Sequence, residues 1–207
     1  MRHPAVYQPF QTSFLAIPQT PLCYWLRDRF FELLAGPTLG DVADVAQGLA
    51  TANDARFVRF AWEVSPAEWV RPARARHWVP FEKGGGYGKW FGHQFWVVDW
   101  QYDGTRIKAS PTAVVRNEEH YFEDGWTYSW IACGSLGLRK VGASGIIAGA
   151  ASSGVFGSDD HAPIGSILNC RISSAIVRSI RSREKINDTI VRLSWSRQDS
   201  GPAAGVV

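Results

Sequence analysis

The chain has 207 residues, of which 45% are hydrophobic, 13% aromatic and 20% charged, a globular composition sized for about one domain. Its three cysteines, Cys23, Cys133 and Cys170, form no CxxC pair, which argues against a disulfide framework or a zinc site and fits a reducing cytoplasm. No apolar run reaches membrane-spanning length and residues 1–21 lack a signal-peptide core, so a soluble, unexported protein without a membrane partner is expected.

Residues 1–20, rich in Pro, Gln and Thr, read as an irregular lead-in. From Pro21 to Leu34 apolar residues recur at helical spacing, and Gly36-Pro37 would stop that helix. The stretch "TLGDVADVAQGLAT" fits either a short strand or a helical turn followed by a loop. Residues 56–64, "RFVRFAWEV", carry the aromatic and β-branched bias of a strand. "HWVPFEKGGGYGKWFG" reads as strand, Gly loop, strand, and "QFWVVDWQYDGTRIKA" as a hairpin turning at Asp103-Gly104. Residues 127–156 suggest short strands broken by Gly and Ser. An amphipathic helix is predicted over 163–181, burying Ile167, Leu168, Ile172, Ile176 and Ile180 and presenting Arg171, Arg178 and Arg181. A last strand, "NDTIVRLSWS", precedes a tail at 198–207. The expected fold is α+β: a mixed, mostly antiparallel sheet with a few packed helices, in one domain spanning 21–197.

Net charge is only +3, but the basic residues are grouped. One group comprises Arg71, Arg74, Arg76, Lys83 and Lys89; the other runs from Arg171 to Arg197. Two such stretches fit a polyanion footprint, and equally a solvated helix face with scattered loop charges. The glycines at 84–86 are followed by neither the G-K-[ST] of a Walker loop nor a helix, so a nucleotide cradle is a poor match. Flanked by Lys83 and Lys89, they still suit close backbone approach to a phosphate chain, or simply a tight hairpin turn. The histidines are scattered, and no metal-ligand spacing or nucleophile elbow is present. The Asn/Asp/Ser-Pro-Pro-aromatic signature of amino-methyltransferases is also missing, as is a glycine turn suited to S-adenosylmethionine. These residues favour a binder over an enzyme.

Five segments, in order, carry a resemblance: 14–26 ("FLAIPQTPLCYWL"), 39–64, 76–100 ("RHWVPFEKGGGYGKWFGHQFWVVDW"), 126–156 and 166–196. Together they resemble the region downstream of the catalytic domain in the PglX-type adenine-specific DNA methyltransferases of BREX phage-defence systems, and in related Type IIG restriction–modification enzymes. The resemblance implies a target-recognition region that grips double-stranded DNA. The S-adenosylmethionine site would lie on a separate catalytic chain or domain, and this chain alone would be inactive. It also assigns the phosphate: a DNA backbone approached by Gly84, Gly85 and Gly86 and held by Lys83 and Lys89. Thr51, Asn53, Arg56 and Arg59 become candidate DNA contacts, with Arg139 and Lys140 as further base or phosphate readers. Trp78, Trp90, Trp96 and Trp100 would support core and loop. The sequence departs from the family pattern at Gln19-Thr20-Pro21, where the family has Gly-Ser-Pro, and at Thr51-Ala52-Asn53-Asp54, where it has Thr-Gly-Asp-Asn. A truncated remnant of such a gene, or an unrelated Trp-rich enzyme, are the alternative readings.

Overall fold

The apolar runs flanking the glycines become neighbouring strands in the computed structural model, which describes residues 10–16, 38–130, 135–149, 151–157 and 161–180. The strands are β1 (Ala43–Ala46), β2 (Val58–Phe60), β3 (Trp78–Glu82), β4 (Trp96–Asp99), β5 (Gly125–Ser129), β6 (Leu138–Val141), β7 (Ile146–Ile147) and β8 (Ser152–Gly157). The helices are α1 (Asp54–Phe57), α2 (Gln101–Lys108), α3 (His161–Leu168) and α4 (Arg171–Ile180). One sheet has the order β1-β8-β5-β6 and is antiparallel throughout. The other has the order β2-β4-β3-β7, antiparallel except for the β3–β7 pair. The α+β expectation holds. The helix expected at 21–34, the strand at 187–196 and the tail lie outside the described residues.

Each sheet buries its own apolar cluster. In the first, Trp126, Tyr128, Leu138 and Val155 pack with Ile164, Leu168, Ile176 and Val177 of the two C-terminal helices. A Cβ at Gly165 would sit 2.0 Å from the Trp126 ring, so α3 reaches the sheet only because that position has no side chain. In the second sheet, Val58, Val79, Phe81 and Val98 pack with Phe57, Trp100, Ile107 and Tyr121. Ala46, Val141, Ile147 and Phe156 make a small cluster drawn from both sheets.

Several local expectations change. The predicted helix at 163–181 is two helices, α3 ending at Leu168 and α4 starting at Arg171, and at the break the Asn169 side chain bonds the β6 backbone. Its Oδ1 accepts from Leu138 N at 2.8 Å and its Nδ2 donates to Leu138 O at 3.0 Å. Cys170 then caps the second helix, its Sγ accepting from Ser173 N at 3.4 Å. Ile167 is 41% exposed on the outer side of α3, and the break resets the phase beyond it, so Ile172 is 56% exposed while Leu168 and Ile176 are buried. Arg171 and Arg178 face solvent as expected; the Ile180 side chain and Arg181 lie outside the description.

Asp103-Gly104 is not a hairpin turn. Tyr102, Asp103 and Gly104 take left-handed φ values of 52, 58 and 70° and lead into a helical turn ending at Lys108. Burial of Trp100 directs this path: a Cβ at Gly104 would lie 2.6 Å from its ring. Within 56–64 only Val58–Phe60 is strand. Asn53 caps a helical turn before it, and Ala61–Glu63 form a 3-10 turn after it. The ambiguous 38–51 stretch contains both options, a 3-10 turn at Leu39–Asp41 and then β1. Among the four tryptophans expected to be core or loop support, Trp100 is buried, Trp78 and Trp96 are half-buried, and Trp90 is 51% exposed.

Candidate nucleic-acid interface

The turn before α1 brings Thr51 and Lys83 together around a residue that sequence reasoning passed over, Asp54. Thr51 Oγ1 donates to Asp54 Oδ1 and Lys83 Nζ to Asp54 Oδ2, both at 2.5 Å. Burial opposes ionisation of Asp54, yet these two hydrogen bonds and the Lys83 charge hold its carboxyl below the usual range. Lys83 also lies over the Trp96 ring at 5.1 Å. The three residues line a cleft of about 400 Å³ whose remaining walls include Leu49, Phe81 and Ala148. Ala52, where the family pattern has glycine, keeps the turn by adopting φ 53°.

Asn53, Arg56 and Arg59 follow directly. Asn53 Oδ1 accepts from Arg56 N at 3.2 Å, a helix N-cap, which leaves the Arg56 side chain exposed. Arg59 alternates to the other face of β2, where its Nη1 donates to Ala55 O and Val58 O at 2.9 and 2.7 Å. Its guanidinium lies 5.7 Å from the Trp78 ring centroid. Asn53 and Arg56 are exposed on this turn, Thr51 is only 3% exposed because its hydroxyl is turned onto Asp54, and Arg59 is half-buried on the edge strand that follows.

The Gly loop is not a tight turn. β3 and β4 are paired, Trp78 opposite Asp99, but the connection runs from 83 to 95 and crosses to the edge of the other sheet. There Trp90 N donates to Leu138 O at 2.7 Å, and Lys140 N donates to Trp90 O at 2.9 Å. Gly84 packs against protein, while Gly85 and Gly86 are exposed. A Cβ at Gly84 would lie 2.1 Å from the Ala151 carbonyl oxygen, Gly86 has φ 60°, and Gly85 N donates to Ser129 Oγ at 3.0 Å. Lys89 Nζ donates to Asn169 O at 2.5 Å, just past the C-terminus of α3, where a cation also suits the helix dipole. Lys83 and Lys89 thus both have protein partners.

Beneath the loop lie two buried ionisable residues, Arg139 and Glu82, that residue spacing alone did not reveal. Arg139 is 1% exposed; its Nη1 reaches Ser129 Oγ at 3.5 Å, while Nε and Nη2 are buried without a hydrogen-bond partner. This is the opposite of the surface reader expected at this position, since strand alternation points Arg139 inward. Lys140 points outward, 5.9 Å from the Trp126 ring. Glu82 is also buried and accepts from Gln94 Nε2 at 3.3 Å. Burial pushes its pKa up to about 7 against the opposing pull of Arg139 and Gln94. His93 is held below its usual value, by burial first and then by Arg139. Glu82 continues the apolar strand "WVPF", and that position was the available signal for its burial.

Among the described residues no group of three His, Cys, Asp or Glu could hold a metal ion, and no helix is long and apolar enough to cross a membrane. No family model matches the chain. It is 30% identical over 151 residues to the adenine-specific methyltransferase PglX of Lacticaseibacillus casei (strain Zhang), covering 65% of this chain and 12% of that protein. It is 29% identical over 170 residues to the adenine-specific methyltransferase BrxX of Escherichia coli O9:H4 (strain HS), covering 80% of this chain and 14% of that protein. The chain is related to these methyltransferases, and it spans less than a sixth of the length of either.

Proposed function

We propose that this chain is the target-recognition segment of an adenine-specific DNA methyltransferase of the phage-defence type. It contacts double-stranded DNA and works with a catalytic portion that holds S-adenosylmethionine. The observation that supports this reading is the relation to two adenine-specific methyltransferases over most of the chain. The geometry adds a suitable edge: Asn53 and Arg56 exposed on a capped turn, and Arg59 behind them on an edge strand. Lys83, on the cleft beside that turn, borders the same proposed surface, with buried Thr51 supporting it from beneath through Asp54. Lys89, the glycines and Arg139 act behind it, shaping the loop.

In this division of labour, contacts to phosphates set register, and bidentate contacts to base edges carry sequence preference. The chain alone transfers no methyl group, because it lacks the amino-methyltransferase signature. Titration against duplex DNA over a range of salt concentrations tests the reading. Affinity should fall steeply with salt, and Arg56→Ala should lower the log–log slope by about 0.9 if that arginine neutralises one phosphate. Arg59→Ala should instead relax preference at one base pair, by about 1–3 kcal/mol, if it reads a guanine. Salt-independent affinity, or none, would contradict a DNA-contacting role.

A further inference from the structure

The loop between β3 and β4 exposes more aromatic surface than any packing role requires. Tyr87, Trp90, Phe91 and Phe95 all face solvent, Phe91 at 71% exposure. Trp62, also exposed, joins them because the adjacent Ala61 N donates to Phe95 O at 2.8 Å. The His93 ring links the two ends of the loop, bonding the Tyr87 backbone and meeting the Phe95 ring edge-on at 6.1 Å. Trp90 and His93 are held at φ 70 and 65°, a conformation that bulky residues rarely adopt. Apolar surface gathered in this way marks an interaction site.

Charge distinguishes the kinds of partner. Protein–DNA interfaces are strongly positive. Residues 84–95 contain one lysine and no acid, that lysine is turned onto the Asn169 carbonyl, and Lys140, whose N donates to Trp90 O, adds a single exposed cation at the border. Burial and the neighbouring Arg139 disfavour a charge on His93. Enrichment in Tyr, Trp and Phe with depletion of charge is the composition of a protein–protein interface core. Most of the length of the related methyltransferases lies outside the matched segment.

We infer that the aromatic crest formed by Trp62, Tyr87, Trp90, Phe91 and Phe95 docks onto the methyltransferase catalytic portion, an apolar protein surface, and not onto DNA. This rests on the proposed function, and it assigns the Gly loop to assembly, leaving the Arg56–Arg59 edge for the duplex. Benzoylphenylalanine placed at Phe91, in the protein as its source cell makes it, tests the assignment after irradiation and sequencing of the crosslinked peptides. Adducts to a methyltransferase polypeptide, in the same chain or a separate one, are expected. Adducts to DNA, to a second copy of this segment or to unrelated proteins, or no adduct at all, would overturn it. As a second measurement, Phe91→Ser with Phe95→Ser should leave duplex affinity within twofold while cellular adenine methylation falls at least tenfold. Unchanged methylation, or lost duplex affinity, would also overturn it. Duplex binding by the unaltered protein, measured alongside, reports separately on the recognition reading.

Discussion

Ala52 occupies a left-handed backbone position that glycine adopts without strain. Ala52→Gly should therefore stabilise the fold by roughly 1 kcal/mol, seen as a raised midpoint in urea unfolding; a lowered midpoint would mean that the turn carries no such strain. Glu82 sets a pH dependence. The folded carboxyl keeps its proton to about pH 7, whereas the unfolded chain releases it near the ordinary value of 4.5. The native state thus holds the extra proton between those values, and stability is greatest below the lower one and falls as pH rises through about 7. A shift of that size corresponds to something on the order of 3 kcal/mol. His93, with its pKa lowered, works the other way, losing stability as pH falls below its ordinary value of 6.5. Comparing unfolding free energies from pH 4 to 8 for the native protein and Glu82→Gln isolates the Glu82 contribution. The downward trend should be weaker in the variant, and identical profiles would show that folding leaves the Glu82 pKa unshifted. The sequence made the types of these residues visible but not their surroundings. Lys83 and Lys89 were legible as loop cations, whereas Asp54 and the Asn169 carbonyl, which engage them, lie 29 and 80 residues away.

At the scale of elements, periodicity located what local interactions control. The strands Trp78–Glu82 and Trp96–Asp99 and the broken strands beyond 125 follow from alternation and glycine punctuation. It failed where a side chain overrides the local pattern. The predicted helix splits where the Asn169 side chain pairs with a strand, and Trp100 burial bends the chain at an Asp-Gly pair that would otherwise turn a hairpin. The split makes a sharp comparison. Ile176→Asp places an unpaired charge among Leu168, Ile164 and Val177 and should cost about 3 kcal/mol or more. Ile172→Asp, on the exposed side, should change stability by less than about 0.5 kcal/mol. Equal losses in thermal unfolding would restore the single continuous helix. Gly84→Ala should also destabilise, since the added methyl would meet a backbone carbonyl that has no free rotation to escape it.

For the whole molecule, the two sheets place a cationic turn at one edge and an aromatic crest on the long loop that bridges them. Composition showed both ingredients, with net charge only +3 and ten tryptophans, but not which elements carry them, which depends on the strand each residue joins. Two such groups on different elements suit a recognition segment in which one meets DNA and the other meets the catalytic portion. The most direct measurement is genome-wide mapping of N6-methyladenine in the source cell with the gene intact, deleted, or carrying Arg59→Ala. Deletion should erase methylation at one sequence motif, and Arg59→Ala should weaken that motif or relax it at a single position. The same motif, methylated to the same extent without the gene, would contradict a role in DNA target recognition.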